Sequence, residues 1–384
     1  MTQRPGARAE IDLAAISDNV RALQARTTAE VLAVVKADAY GHGLVPCARA
    51  ALDGGATWLG TALLDEALAL RAAGITGPRV LAWLLGPDER WADAVRADID
   101  LSANAPWAVE AIAEAARAVG TQARVHLKVD SGLGRGGAAV ADWPDLVDAA
   151  RKAEADGSVR VVGLWSHFAY ADAPGHATVA AQAATFREAV GLAEAAGLRP
   201  DVRHLANSAA TLTAPEHHFD LVRPGLAVYG LSPVPQVGDS RSFGLRPAMT
   251  LVGRLVLVKR LPAGSGLSYG HIYTTDRETT VGLVPLGYAD GVPRSAGNVG
   301  PVLAAGRRRT VAGRVCMDQF VLDLGDDPAE VGDEVVLFGP GDAGEPTAQD
   351  WADATATISY EIVTRVGPRV PRVHVGGPSE GGDS

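Results

Sequence analysis

Eight short runs of β-branched or apolar residues, each followed by a helical stretch, fill the chain from residue 31 to about residue 230. The runs are 31–36 (VLAVVK), 58–62 (WLGTA), 79–83 (RVLAW), 99–102 (IDLS), 124–130 (RVHLKVD), 160–167 (RVVGLWSH), 202–206 (VRHLA) and 219–223 (FDLVR). Between them lie Ala-rich segments such as 105–119 (APWAVEAIAEAARAV) and 176–196, with apolar residues at helical spacing. Strands that alternate with helices pair in parallel. Eight units of this kind match the repeat count of a (β/α)8 TIM barrel. A doubly wound open sheet also uses parallel strands, but requires no particular number.

The pattern changes near residue 245. Segments 248–260, 278–286, 308–324 and 334–338 are rich in Val, Leu and Thr, with Gly and Pro between them; only 348–358 reads as a short helix. This predicts a barrel domain over 12–240 and a mostly β C-terminal domain over 245–375, with a Pro- and Gly-bearing linker at 232–247. Residues 7–11 read as a lone strand that would return to join the second domain, and 376–384 as a disordered tail.

A net charge of −10 argues against nucleic acid and anionic membrane as partners. The one dense basic run, Arg307 to Arg309, reads as a solvated turn or strand edge. No stretch approaches the ~20 apolar residues of a membrane span, and the first ten residues lack the apolar core of a secretion signal. The two cysteines, Cys47 and Cys316, form no Cys-x-x-Cys pair. The adjacent His217 and His218 have no metal-ligand spacing, so no metal site is expected. The chain reads as cytoplasmic.

Lysine is scarce: four residues (Lys36, Lys128, Lys152 and Lys259) among 35 Lys plus Arg. A lysine kept at the end of an apolar strand, as Lys36 is, calls for a chemical explanation. Catalysis in barrels occurs at the C-terminal strand ends, and those ends carry Lys36, Lys128, Asp130, Arg135, His167, His204, Ser208 and Arg223. So many cations and imidazoles suit an anionic, carbonyl-bearing ligand such as pyridoxal phosphate. Lys36 could instead pair with Asp38, and His167 and His204 could be satisfied core histidines. Gly132-Leu133-Gly134-Arg135-Gly136-Gly137 formally matches a dinucleotide fingerprint, but no carboxylate ends the next strand. A loop presenting Arg135 to a ligand is the better reading.

Nine segments, in order, resemble the alanine racemases. They are VKADAYGHG from Val35, KVDSGLGR from Lys128, WSHFAYAD from Trp165, HLANSAA from His204, VRPGLAVYGL from Val222, LSYG from Leu267, PLGYADG from Pro285, GRVCMDQ from Gly313 and ISYE from Ile358. The resemblance implies a pyridoxal-phosphate enzyme built as barrel plus β-domain, a homodimer with active sites shared between subunits. It would interconvert L- and D-alanine and supply D-alanine for peptidoglycan. Lys36 then corresponds to the Schiff-base lysine and base on the D-alanine face, Tyr269 to the base for L-alanine from the second subunit. Arg135 would meet the cofactor's phenolic oxygen and Arg223 its pyridine nitrogen, with His167 also on the cofactor. Tyr40, Ser208, Tyr360 and the backbone at Gly225 and Leu226 would hold the phosphate; Leu226 stands where many members carry isoleucine. Met317 N–H, with Arg135, would meet the substrate carboxylate. Tyr273 and Tyr288 resemble a narrow entrance, Asp318 a supporting residue, and Lys128 a lysine often carbamylated in the family. A broader-specificity racemase differs only in a few pocket side chains, and a non-catalytic pyridoxal-phosphate carrier would lack the β-domain that bears Tyr269 and Met317.

Overall fold

The computed structural model describes residues 6–377. Among the described residues the chain divides into two compact units, residues 16–39 with 44–245, and residues 6–15 with 40–43 and 246–377. The expected tail lies, from residue 378 onward, outside the described residues.

Strand β1 (Ala7–Asp12) belongs to the second unit. The first unit holds β2 (Glu30–Val34), β3 (Trp58–Thr61), β4 (Arg79–Ala82), β5 (Asp100–Ala103), β6 (Ala123–Lys128), β7 (Val159–Trp165), β8 (Val202–His204) and β9 (Leu221–Val222). They form one parallel eight-stranded sheet in the order β8-β7-β6-β5-β4-β3-β2-β9, so consecutive strands are neighbours throughout. The two end strands meet through single links: Asp220 N–H donates to Arg203 O at 3.0 Å and Arg223 N–H to Ala206 O at 2.9 Å. The sheet is a nearly closed barrel, as the eight alternating units implied.

The helices form for the reasons the sequence gives. Pro106–Val119 starts with Pro at its first position and ends at Gly120, whose φ of +79° a β-carbon would oppose. Its Val109, Ile112, Ala113 and Ala116 form a buried stripe at helical spacing. The expected linker does not hang free. Val234 and Leu245 are buried, and Arg26 donates to Phe243 O at 3.1 Å, so apolar anchors fasten the segment to the first unit.

The second unit is mostly β. It contains β10 (Met249–Arg254), β11 (Leu257–Leu261), β12 (Gly266–Leu267), β13 (Tyr273–Thr274), β14 (Thr279–Val284), β15 (Pro301–Ala304), β16 (Arg307–Thr310), β17 (Phe320–Gly325), β18 (Glu334–Phe338) and β19 (Arg372–Val375). A six-stranded sheet runs β16-β15-β18-β10-β1-β19, a three-stranded one β11-β14-β17, and β12 pairs with β13. The lone strand does return: β1 lies between β10 and β19. The run 248–260 is two strands in different sheets, because the buried Leu255 and exposed Val256 turn the chain at a corner. The 348–358 helix is Ala348–Thr355, capped by Thr347 with Asp350, and a further helix, Ser359–Thr364, follows. Arg307 to Arg309 form the edge strand β16, answered by Asp327 and Asp350.

Candidate active site

Lys36 stands two residues beyond β2, at the start of a helical turn, Lys36–Gly41, of unusual hand. Ala37, Asp38 and Ala39 have φ of 54° and Tyr40 of 55°, a left-handed turn made of residues with side chains. Such a conformation costs about 1–2 kcal/mol per residue, so the surroundings must impose it. Glu66 accepts the Ala37 N–H at 2.6 Å, and its other oxygen takes Ala62 and Leu63 N–H at 3.1 Å. Asp38 accepts Leu44 N–H at 2.7 Å, so its carboxylate fastens the turn rather than the lysine. The Lys36 amine lies 5.9 Å from the Trp83 ring. Burial, then the nearby Arg135 cation, lower its pKa, against a smaller opposing effect of Glu66.

Around it the ends of β6 and β9 bring further cations together, and the segment after β7 adds an imidazole. Lys128, the last residue of β6, has its amine 4.3 Å from the Trp165 ring, and the Arg223 guanidinium lies 4.9 Å from the same ring. Burial and then Arg223 and Arg135 pull the Lys128 pKa down to about 8. His167 is held well below its ordinary value by burial and by Arg223, Arg135, Lys128 and Lys36, so its ring is neutral.

The glycine-rich loop has a use that excludes dinucleotide binding. The Asp130 carboxylate accepts the backbone N–H groups of Gly132, Leu133 and Gly134 on one oxygen and of Arg135 on the other, at 2.9–3.1 Å. The loop is an anion nest closed on its own side chain. Burial pushes the Asp130 pKa up, but the four donors outweigh it and the net shift is downward. Gly137 is required for close approach, since a β-carbon there would lie 2.6 Å from Asp130 N.

Arg223 is buried and donates through Nη1 to His204 Nδ1 at 3.0 Å, and through Nη2 to Ser166 O (2.8 Å), Leu205 O (3.2 Å) and His167 Nδ1 (3.3 Å). Nε–H is outside this set. Burial lowers its pKa to about 9, which leaves it cationic at neutrality. Nearby, the Ser208 hydroxyl accepts Gly225 N–H at 2.8 Å and Ala227 N–H at 3.3 Å. Leu226 opens the short turn Leu226–Tyr229, where an N–H has no acceptor within the turn.

In the second unit the rings of Tyr40 and Tyr360 lie 6.2 Å apart. Burial, then Tyr360, raise the Tyr40 pKa, so its hydroxyl stays a neutral donor. Tyr269 is 73% exposed and Met317 54% exposed. They share one surface region. Ser268 Oγ donates to Arg314 O at 2.7 Å, and Tyr288 and Ala289 N–H donate to Cys316 O and Met317 O at 3.0 Å. A β-carbon on Gly287 would meet Met317 O at 2.3 Å, so only glycine lets these loops close up. Asp318 pairs with Arg369 at 2.7 Å.

Tyr273, read with Tyr288 as an entrance residue, has a structural setting of its own. It is half-buried, packs against the cluster of Leu267, Val281 and Ala312, and donates its hydroxyl to Asp323 at 2.8 Å. It is part of a sheet wall, unlike the exposed Tyr288. His217 and His218 also have ordinary work: His217 packs on Phe168, and His218 bonds Thr27 Oγ1 and Thr211 O. Among the described residues no three metal-type ligands come together, and no helix is long and apolar enough to cross a membrane.

Three participants were not singled out from the sequence: Glu66 under the left-handed turn, and Asp100 and His126 behind Arg223. Asp130, by contrast, stands among the strand-end residues read from the sequence, directly before a Ser-Gly-x-Gly loop.

Comparisons with known proteins agree with this geometry. The sequence profile described as "Alanine racemase, N-terminal domain" matches residues 11–233, and "Alanine racemase, C-terminal domain" matches 248–374. An alanine racemase of Frankia casuarinae is 65% identical over 368 residues, covering 96% of each chain. The solved alanine racemase of Streptomyces coelicolor superposes with a TM-score of 0.96 at 62% identity, over 97% of this chain and 98% of that one. The enzyme from the D-cycloserine producer Streptomyces lavendulae gives 0.97 at 57%, over 98% of both. Barrel, β-domain, strand-end cations and sequence therefore converge, and the chain belongs to the alanine racemase family.

Proposed function

We propose that this chain interconverts L- and D-alanine with pyridoxal phosphate, in the cytoplasm, supplying D-alanine for peptidoglycan. The observation that carries the reading is the Lys36 amine, mostly buried, lowered in pKa and set among Lys128, Arg135 and Arg223. The carboxylates of that neighbourhood, Asp38, Glu66 and Asp130, are each engaged by backbone N–H groups, so the positive charge fits an anionic aldehyde cofactor.

When bound, pyridoxal phosphate supplies an electron-withdrawing ring that delocalises the electron pair left at Cα when its proton is removed. The protein's share is placement and proton handling. Lys36 would hold the cofactor covalently and then move a proton on its Nζ at one face of Cα. Tyr269 Oη would do so at the opposite face, and racemisation requires two such groups. The exposed Tyr269, Tyr288 and Met317 suit a homodimer in which this surface serves a second subunit. Arg223, a donor only, would face the ring nitrogen and disfavour its protonation, restraining side reactions.

Ser208 and the N–H groups of Gly225 and Leu226 would hold the phosphate, and likeness to the family extends that set to Tyr40 and Tyr360. His167, neutral, would lie on the cofactor ring. Arg135 and Met317 N–H would hold the substrate carboxylate, with Tyr288 at the entrance and Asp318 in support. With a pKa of about 8, Lys128 has a neutral fraction able to add carbon dioxide, releasing one proton and gaining a negative carbamate for Arg135. The barrel over 12–240 and the β-domain over 245–375 would each carry one of the two bases. The test is direct: the purified protein should absorb near ~420 nm, as lysine-bound pyridoxal phosphate does in general, and should abolish the optical rotation of L-alanine. Lys36→Ala should lose the borohydride-trappable linkage; a linkage retained in that variant would refute the assignment.

A further inference from the structure

Barrel interiors are normally filled with branched apolar side chains. Inside this one, four polar side chains form a single file. Arg223 Nη1 lies 3.0 Å from His204 Nδ1, His204 Nε2 lies 2.9 Å from His126 Nδ1, and His126 Nε2 lies 3.0 Å from Asp100 Oδ2. All four residues are buried, the two histidines and the aspartate completely. Asp100, on β5, is clamped from the other side by Arg79 and Arg124, each at 2.5 Å. The file joins the start of β5 to the residue just past β9.

The backbone is shaped around it. The register of β6 against β7 shifts between Val125 and His126, a bulge at the residue that must aim inward. A β-carbon on Gly163 of β7 would lie 2.0 Å from His126 Nδ1, so only glycine admits the ring. Trp165 stacks on His204 with centroids 5.5 Å apart, and Trp58 meets His126 edge-on at 5.6 Å.

The chemistry of the ends fixes the middle. A guanidinium only donates and an ionised carboxylate only accepts. Each imidazole must then accept at Nδ1 and donate at Nε2, and both must be neutral. The charges facing them agree. Burial holds His204 well below its ordinary pKa, helped by Arg223, His126, Arg79 and Lys128. Burial also lowers His126, against the opposing pull of Asp100 and with help from Arg79 and Arg124. Stability alone does not explain the file, since apolar residues of similar volume serve a core at least as well as a buried ion-paired network.

We propose that Asp100, His126 and His204 are positioning residues, which fix the orientation of Arg223 by giving its Nη1 a single neutral acceptor. The proposal rests on the reading that Arg223 faces the ring nitrogen of pyridoxal phosphate. Breaking the file two links away should let Arg223 shift and expose that nitrogen to protonation. The abortive reaction then gains: alanine and pyridoxal phosphate become pyruvate and pyridoxamine phosphate. In it the amino nitrogen passes to the cofactor, the aldehyde oxygen leaves as one water, and a second water taken up supplies the keto oxygen of pyruvate.

The test uses holoenzyme labelled with 15N at histidine, together with a pyruvate assay. In the wild type, His126 and His204 should both show neutral Nε2–H rings from pH 6 to 9. His126→Phe touches neither Arg223 nor the cofactor. It should alter the His204 resonances and raise pyruvate formed per racemisation turnover by about tenfold or more, the scale on which supporting partners of a functional group act. His126→Asn, whose amide oxygen again offers His204 Nε2–H an acceptor, should bring both readouts back toward wild type. A protonated or Nδ1–H His204 in the wild type overturns the proposal, whether or not the Phe variant folds. So does an unchanged pyruvate ratio in folded His126→Phe. A wild-type protein that fails to racemise alanine sinks the functional reading instead, and leaves the ring resonances to be judged separately.

Discussion

The Glu66 carboxylate accepts the N–H of Ala37, the residue after Lys36, at 2.6 Å. A side chain on a barrel helix thus fixes the backbone beside the amine without touching the amine. Glu66→Ala removes that acceptor, and with it the reciprocal bond to the Leu63 N–H at the start of its own helix. Loss of such a cap costs ~1 kcal/mol. The variant should melt at lower temperature and trap less pyridoxal phosphate at Lys36 on borohydride reduction, while Glu66→Gln, keeping one oxygen, should fall between. Full trapping at wild-type rate in Glu66→Ala would show that the turn holds itself.

Asp130 predicts a pH dependence. Its folded pKa is depressed, so its contribution to stability is fully present above the unfolded value of ~3.9 and is lost as pH falls through the folded value. Asp130→Asn should therefore lower Tm at neutral pH, and the gap to wild type should narrow below about pH 4. A gap that widens on acidification contradicts the nest.

Tyr269→Phe should slow proton removal from L-alanine by about 10²- to 10⁴-fold, the usual range for a lost general base, and affect D-alanine much less. Solvent-deuterium exchange into each enantiomer separates the faces. Mixing Lys36→Ala with Tyr269→Phe chains should restore roughly a quarter of wild-type activity, because random pairing makes about half the dimers hybrids with one intact site each. No recovery, after native mass spectrometry has confirmed subunit exchange, means each chain uses its own Tyr269.

Tyr273 and Tyr288 should part company on mutation. Burial and Asp323 push the Tyr273 hydroxyl up to about 12, and its hydrogen bond to Asp323 is worth about 1 kcal/mol. Tyr273→Phe should lower Tm and leave KM for alanine unchanged. Tyr288→Ala should leave Tm nearly unchanged and widen the range of amino acids accepted. A reversed pattern would assign the entrance to Tyr273 rather than Tyr288.

The barrel was legible because its strands read as apolar runs of the right number, and Lys36 because lysine is rare in this chain. The β-domain was legible as β but not as sheets: nothing in 248–260 marks Leu255 as a corner. Asp100 and His126 escaped notice because each looks like an ordinary polar residue of a strand, and only the closed barrel turns both inward. The left-handed turn had no signature at all. A run of Gly or Asn would have announced it, whereas Ala37 and Ala39 have ordinary right-handed preferences, overridden by the Glu66–Ala37 and Asp38–Leu44 bonds.

That turn has a stereochemical consequence. A φ of 54° at Ala37 is the mirror image of the right-handed helical conformation, and is therefore where a D-residue rests without strain. Ala37 is exposed, so a semisynthetic chain with D-alanine there has room to keep the turn. It should be more stable than the natural chain by the order of 1–2 kcal/mol that an L-residue loses in this conformation. The backbone next to Lys36 is thus shaped for the enantiomer that the ribosome does not supply.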